Sequence, residues 1–186
     1  MSRVMFDIDG VLRDWAGSWL RIFEQKHGYR PEVRSIWEGP FLALEEVGYL
    51  NPEGILFTQW GWDITANAEP YPQAKQSIKA IRDAGHTIII VTDQPTDETK
   101  SGTLAWLSKH MILPDELVFT NKKYEVDAEF YIDDNDRNIF KLALHKPDSN
   151  IVRILRPWNE KYAYEGLPIW TIKKLSQYVE LVNGES

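Results

Sequence analysis

Residues 4–12 read Val-Met-Phe-Asp-Ile-Asp-Gly-Val-Leu, and this stretch decides how the rest of the chain is interpreted. Three apolar residues lead directly into two carboxylates, Asp7 and Asp9, which Gly10 follows. Apolar residues that end abruptly in acids indicate a buried strand that runs into a loop. Ligands of open α/β sheets bind outside the carboxyl ends of the strands. The pattern therefore predicts two acids, one residue apart, where a substrate would bind.

An acidic turn and a calcium loop are the two simpler interpretations of this stretch. An EF-hand loop needs an oxygen ligand at its fifth position and Glu at its twelfth. Counted from Asp7, those positions hold Val11 and Ser18, so calcium is set aside. The acidic turn stays open on this motif alone, and the polar residues at the ends of the later strands favour a functional site.

Composition and charge exclude several classes of function. The chain has 186 residues, enough for one core domain with a modest insertion. Apolar content of 43% and charged content of 26% are ordinary for a soluble globular protein. The net charge of -7 and the lack of a basic stripe argue against binding to extended nucleic acid. The chain has no cysteine, which excludes a disulfide framework, a thiolate zinc site and a cysteine nucleophile.

The expected compartment is inferred from hydropathy, from the N-terminal sequence and from the absence of cysteine. No apolar run approaches the roughly 20 residues that a membrane span needs, and strand-like sequence begins at Arg3 without a signal peptide. The absence of cysteine fits a reducing environment. We therefore expect a cytoplasmic protein without a membrane partner. The sequence leaves the oligomeric state open, a homodimer included.

Helical and strand patterns alternate along the second half of the chain. Alternation of this kind predicts an α/β fold with a Rossmann-like parallel sheet and helices on both faces. Thr96 is the expected N-cap of one helix, and Gly85 ends another. The expected strands after the first are 87–91, 117–119, 130–132 and 151–155, and the expected helices are 71–84, 97–111, 139–144 and 175–182.

Residues 15–69 interrupt this alternation and are rich in aromatic residues, Gly and Pro. Trp15, Trp19 and Phe23 are spaced i, i+4, i+8, which indicates one stripe of a helix. We expect a small, mostly helical cap inserted after the first strand, over that strand's carboxyl end. The α/β core then comprises residues 1–14 and 70–186. Trp19 is expected in the cap's core.

Polar side chains come directly after four of the predicted strands. Because the carboxyl ends of parallel strands meet at one edge of a sheet, these side chains are expected to cluster. The cluster would contain several carboxylates, a hydroxyl and an ammonium group. Its members are Asp7 and Asp9, Thr92 with Asp93 and Gln94, Thr120 to Lys123, and Asp133 with Asp134.

This set of groups suits phosphoryl transfer. A carboxylate can attack phosphorus, and a divalent cation held by carboxylates removes the repulsion between the two anions. A lysine and a hydroxyl can hold the phosphoryl oxygens, and a second carboxylate can donate a proton to the leaving group. We interpret Asp7 as nucleophile, Asp9 as acid/base and Asp133 as metal ligand.

The arrangement resembles the haloacid dehalogenase (HAD) superfamily of phosphatases. Its four signatures match residues 7–11, residues 91–93, Lys123 and residues 132–134, in the family's order. The resemblance implies a magnesium-dependent enzyme whose nucleophile is Asp7 and whose acid/base is Asp9. It implies that Thr92 and Lys123 bind phosphate, and that Mg²⁺ is held by the Asp7 side chain, the Asp9 backbone carbonyl and Asp133. Asp134 is either a further ligand or a support for the ligands.

Within this superfamily, residues 6–15 are similar to the opening of the 5'(3')-deoxyribonucleotidases, which also carry a small helical cap. Residues 119–123, ten before Asp133, have the spacing expected for that group. The chain departs from the group at Asp93, where those enzymes tend to have Ser. If Asp93 reaches the phosphate, we expect it to weaken binding or to shift specificity.

The implied activity is hydrolysis of nucleoside monophosphates, chiefly deoxyribonucleoside monophosphates, through an aspartyl-phosphate intermediate. A HAD phosphatase for another small phosphate ester or a nucleic-acid end, and a non-catalytic nucleotide-binding domain, are the alternatives. Trp15 either packs against the nucleobase or sugar or belongs to the cap's core. Lys122 is the alternative to Lys123, and Arg13 either binds phosphate or pairs with Asp14.

Overall fold

The computed structural model describes residues 1–32, 38–160 and 166–184. The chain forms two compact units. The first comprises Met1–Arg13, Pro70–Asp93 and Ile112–Ser186, and the second comprises Asp14–Glu69 and Gln94–Met111. The predicted domain division uses nearly the same two linkers, near residues 14 and 70, but leaves residues 94–111 in the core. That division, including the cap's position, stays a proposal.

A parallel sheet forms the centre of the first unit. Its strands are β1 (Arg3–Phe6), β2 (Thr87–Thr92), β3 (Glu116–Phe119), β4 (Phe130–Asp133), β5 (Asn150–Ile154) and β6 (Ile169–Ile172). In the described part of the chain they make one six-stranded sheet in the order β3-β2-β1-β4-β5-β6. All five pairings are parallel. The predicted α/β fold is therefore confirmed.

Neighbouring residues of β1 point to opposite faces of the sheet, as the period of two requires. Met5 packs on one face in a buried cluster with Ile139 of helix α6 (Asp136–His145). Phe6 packs edge-to-face on Tyr178 of helix α7 (Leu175–Asn183), with ring centroids 5.1 Å apart. Helix α4 (Ala74–Asp83) packs beside α7. Helices thus cover both faces, as predicted.

Sequence reasoning missed β6. The strand has four residues, and Trp170 and Thr171 within it are exposed. A short edge strand with exposed residues on both faces lacks the continuous apolar run that marks the central strands. Its pairing with β5 is what places it in the sheet.

The second unit is helical in its described residues. Its helices are α1 (Trp15–His27), α2 (Gly39–Glu46), a π-helical turn (Gly54–Gln59), α3 (Gly61–Ala66) and α5 (Asp97–Lys109). The Asp14 carboxylate caps α1 by accepting a hydrogen bond from the Gly17 amide at 2.9 Å. Trp19 and Phe23 are fully buried with Leu44 and Ile64, which confirms that Trp19 belongs to this unit's core.

No helix in the described residues is both long enough and apolar enough to cross a bilayer.

Candidate active site

The site begins where β1 and β4 end side by side. Phe6 is in register with Ile132, and the Asp7 amide donates a hydrogen bond to the Ile132 carbonyl at 3.1 Å. This pairing brings Asp7 next to Asp133, the last residue of β4. Both carboxylates are buried, with Asp133 fully enclosed. The sequence prediction that these strand ends meet holds for Asp7 and Asp133.

Lys123 joins the two carboxylates. Its Nζ lies 2.8 Å from Asp7 Oδ1 and 2.7 Å from Asp133 Oδ2. The residue begins a single 3₁₀ turn, Lys123–Glu125, that comes after β3. Lys122 is exposed and pairs instead with Glu125 at 3.1 Å. Of the two adjacent lysines, the structure therefore brings Lys123 to the acids.

The cluster contains more carboxyl groups than cationic groups. Burial lowers the pKa of Lys123, but the Asp133 and Asp7 carboxylates outweigh burial and hold that pKa above its usual value. The Lys123 ammonium group is therefore charged. Burial raises the pKa of Asp7 well above its usual value; Lys123 opposes this shift, and Asp133 and Asp134 add to it. One ammonium group faces three carboxyl groups. A further cation would therefore reduce the repulsion among them.

The three carboxylates fit a divalent metal ion. Asp7, Asp133 and Asp134 each offer an oxygen, and these oxygens lie within 4.8 Å of one another. Asp134 Oδ2 accepts a hydrogen bond from Trp158 Nε1 at 2.7 Å, whereas the buried Oδ1 has no hydrogen-bond partner among the described residues. Burial, the main cause, raises the pKa of Asp134 to about 7. An all-oxygen donor set with one unpartnered buried oxygen suits a hard cation such as Mg²⁺.

Asp133 is held in place from two sides besides Lys123. Its Oδ1 accepts a hydrogen bond from the Asn135 amide at 2.8 Å, and its Oδ2 accepts one from Asn138 Nδ2 at 3.1 Å. Asn135 is also the N-cap of α6, since its side chain accepts from the Arg137 amide at 2.9 Å. The same turn thus starts the helix and orients the carboxylate.

Asp9 lies in the same loop but contacts a different cation. Its carboxylate accepts hydrogen bonds from Arg13 Nε at 2.7 Å and Arg13 Nη2 at 3.0 Å. The Arg13 side chain is fully buried, and that of Asp9 is 25% exposed. Neither predicted role for Arg13 included this contact. It forms because the loop turns tightly enough to bring residue 13 back to residue 9. Asp14 instead caps α1.

The remaining predicted residues make none of the contacts described above among the carboxylates. Thr92 is buried at the end of β2, next to β1 in the sheet, and its carbonyl accepts a hydrogen bond from the Thr120 amide at 3.0 Å. Asp93 is exposed. Trp15 is half-buried against the aromatic core of the second unit.

Three residues at this site were missed from sequence. Arg156 Nε donates to the Gly10 carbonyl at 2.6 Å, Trp158 holds Asp134, and Asn159 Nδ2 donates to the Asp134 carbonyl at 2.8 Å. All three come after β5, whose position was predicted. A fifth group of polar residues at a strand end was thus visible in the sequence, although nothing in their type distinguishes them from an ordinary loop.

Comparisons with known proteins identify the family of the chain. Residues 1–159 match the model of the family described as "5' nucleotidase, deoxy (Pyrimidine), cytosolic type C protein". The mitochondrial 5'(3')-deoxyribonucleotidase of Mus musculus is 30% identical over an alignment of 141 residues that covers 71% of this chain and 64% of the relative. The cytosolic-type 5'(3')-deoxyribonucleotidase of Homo sapiens is 25% identical over an alignment of 144 residues that covers 72% of this chain and 71% of the relative. The chain thus spans less than two thirds of the mouse mitochondrial relative.

Solved structures share the fold at low identity. YfnB of Bacillus subtilis, in a structure bound to magnesium, superposes with a TM-score of 0.66 at 15% identity, covering 97% of this chain and 98% of that one. A dehalogenase in an intermediate complex gives a TM-score of 0.63 at 17% identity, covering 96% of both chains. These likenesses establish the HAD-type fold of the chain.

Proposed function

The chain belongs to the family of cytosolic type C deoxy (pyrimidine) 5' nucleotidases, and from this premise we propose that it is a magnesium-dependent phosphomonoesterase. Its proposed substrates are nucleoside monophosphates, chiefly deoxyribonucleoside monophosphates. The observation that carries the proposal is the buried Lys123 Nζ, shared between Asp7 and Asp133 beside the third carboxylate of Asp134. The names of the deoxyribonucleotidase relatives support the substrate class.

In the proposed first step, Asp7 is the nucleophile. A carboxylate oxygen of Asp7 forms a bond to phosphorus while the bond from phosphorus to the ester oxygen breaks. Asp9 donates its proton to the departing alkoxide, so the nucleoside leaves as an alcohol. Arg13 donates two hydrogen bonds to Asp9 and stabilises the carboxylate that this transfer leaves.

In the second step, water attacks the phosphorus of the aspartyl phosphate. Asp9 takes the proton from this water, the bond from phosphorus to Asp7 breaks, and inorganic phosphate leaves. Lys123 and Thr92 hold phosphoryl oxygens through both steps and stabilise the charge that develops on them. Mg²⁺ bound by Asp7, the Asp9 backbone carbonyl and Asp133 would offset the repulsion between phosphate and carboxylates.

Two further assignments are proposals of the same kind. Trp15 is proposed to pack against the nucleobase or sugar, since aromatic walls are common in small-molecule pockets. The compartment is proposed to be the cytoplasm, although the relatives include both a cytosolic-type and a mitochondrial protein. A homodimer stays a prediction.

Phosphate release from a panel of ribo- and deoxyribonucleoside monophosphates, with and without magnesium, tests the proposal. We expect magnesium-dependent release that is abolished in Asp7→Asn, because the amide is a poor nucleophile. Asp148→Asn makes the same chemical change at an exposed position and should keep full activity. Release from an aryl phosphate but from no nucleotide would overturn the substrate class. Release that survives in Asp7→Asn would overturn covalent catalysis, and magnesium-dependent stabilisation without any release would indicate a binding domain.

A further inference from the structure

A cavity in the first unit is lined by none of the residues given a role in the proposed reaction. It has a volume of about 280 Å³. Its walls come from the segment before α4, from the end of β5 and from the start of α7. The lining residues are Tyr71, Pro72, Gln73, Ile154, Arg156, Lys173, Lys174 and Leu175.

Three of these residues are cations, and among the described residues that line the cavity there is no acid. Within the same described residues, Arg156, Lys173 and Lys174 make no salt bridge to any carboxylate. The chain as a whole carries a net charge of -7. Three positive charges that make no salt bridge create a local positive potential in a negative protein, and a concave wall concentrates that potential.

Arg156 is already fixed in position. Its Nε donates to the Gly10 carbonyl at 2.6 Å and its Nη1 to the Leu155 carbonyl at 3.2 Å. Its guanidinium carbon lies 3.9 Å from the centre of the Tyr71 ring, which is the geometry of a cation–π contact. All these hydrogen-bond and ring partners are neutral, and the guanidinium charge also acts on the Asp134 carboxyl, whose pKa it lowers. A cation that is ordered before binding loses little freedom when a ligand arrives.

Apart from Gln73, the other walls of the cavity are apolar. Ile154 and Leu175 are buried, and the Tyr71 ring and Pro72 complete this side. The volume lies just below the range of about 300–1,000 Å³ that holds drug-sized ligands. The cavity therefore suits a small molecule with a multiply charged anionic end and a short organic part. Arginine and lysine together are the usual partners of phosphate oxygens.

We propose that the cavity lined by Arg156, Lys173 and Lys174 is a binding site for a phosphate dianion, either free or as a small phosphate monoester. The lining of this site contains none of the carboxylates Asp7, Asp133 and Asp134, although Arg156 also contacts the loop that carries Asp7, and the site requires no metal. Its proposed occupant therefore binds in metal-free protein. Binding there does not depend on the proposed hydrolysis.

The test is a titration of the ¹⁵N-labelled full chain, in EDTA, with inorganic phosphate and separately with ribose 5-phosphate. We expect saturable shifts of the amide resonances of Lys173, Lys174 and Leu175. In Lys173→Gln/Lys174→Gln the affinity read at Leu175 should fall at least about tenfold, because two of the three charges are removed. Lys109→Gln/Lys141→Gln removes the same charge from exposed helix positions outside the cavity and should bind as the wild type does.

The two ligands distinguish the sources of the phosphate group. Tighter binding of ribose 5-phosphate supports a monoester that uses the apolar wall, and equal binding supports free phosphate. Absence of saturable shifts at residues 173–175 with both probes would overturn the proposal. Equal affinity in the two double variants would overturn it as well. Neither result depends on turnover, so failure here leaves the phosphatase proposal standing.

Discussion

At the scale of single residues, Lys123 carries the electrostatics of the proposed site. It is buried and contacts two carboxylates at hydrogen-bond distance, whereas its neighbour Lys122 contacts one exposed glutamate. We expect Lys123→Met to lower kcat by about 10²–10³, the cost of removing one preorganised donor to a developing oxyanion. Lys122→Met, a matched change one residue away, should stay within about twofold of wild type. Steady-state kinetics on the best nucleotide of the panel would measure both.

Loss of folding is the competing explanation for an inactive Lys123→Met. Removing one partner from a buried ion pair costs about 3–5 kcal/mol, so thermal unfolding must be measured alongside the kinetics. A variant that is folded at the assay temperature and fully active would contradict the role given to Lys123. A larger loss in Lys122→Met would show that the other lysine is the catalytic one.

Gly10 is the second residue whose identity the site requires. Its φ is +77°, and a Cβ there would lie 2.1 Å from Asp134 Oδ2. Gly10→Ala should therefore combine the cost of a left-handed residue, about 1–2 kcal/mol, with an overpacking cost of about 1–3 kcal/mol. Urea unfolding would measure the sum, and the proposed activity should fall as Asp134 is displaced.

Gly85→Ala is the control that separates these two effects. Gly85 has a φ of +89°, and an added Cβ would meet nothing within 4 Å. Gly85→Ala should therefore lose only the free energy that a non-glycine residue in the left-handed conformation costs, without any overpacking. Equal losses of unfolding free energy in the two variants would mean that Asp134 moves aside freely, contrary to a tightly packed site.

At the scale of elements, α5 shows how close packing decides which unit a helix joins. The sequence places this helix with the core, and its N-cap Thr96 is confirmed, but the helix belongs to the second unit. Gly102 permits α5 to pack against α3, because any larger residue would place its Cβ 2.0 Å from Thr65 Oγ1 of α3. Trp106 adds a hydrogen bond from its Nε1 to the Ala68 carbonyl at 2.8 Å. A small residue thus lets α3 and α5 approach closely.

Gly102→Ala tests this packing against helix propensity. Propensity alone predicts a gain of about 1 kcal/mol from Gly to Ala in a helix interior. We expect a net loss instead, since overpacking costs about 1–3 kcal/mol. The loss should be smaller in a Thr65→Ala background, where the nearest clashing atom is gone. Strictly additive effects in this double-mutant cycle, measured by urea unfolding, would exclude the proposed contact.

At the scale of the whole molecule, the acid cluster should make stability depend on pH when no metal is bound. The pKa of Asp134 is raised to about 7 from an ordinary value of 3.8. The native state therefore keeps a proton that the unfolded chain has lost. This contribution to stability is fully present below pH 3.8 and is lost as the pH rises through 7.

Urea unfolding in EDTA between pH 5 and pH 8 measures this effect. The free energy of unfolding of the wild type should fall more steeply with pH than that of Asp134→Asn, which has no proton to lose. Asp148→Asn, at an exposed position, should behave as the wild type does. Parallel curves for the wild type and Asp134→Asn would show that Asp134 titrates normally.

The sequence by itself determined the α/β fold, the parallel sheet and the meeting of Asp7 with Asp133, because local patterns mark buried strands and parallel strands share one carboxyl edge. It also singled out Lys123, through a family resemblance, from two adjacent lysines. The tertiary structure alone decided the contacts of Arg13, Arg156 and Trp158, and the assignment of α5 to the second unit. These contacts and this assignment depend on distances between segments far apart in the chain or on the tightness of a turn. Neither periodicity nor residue type predicts such distances.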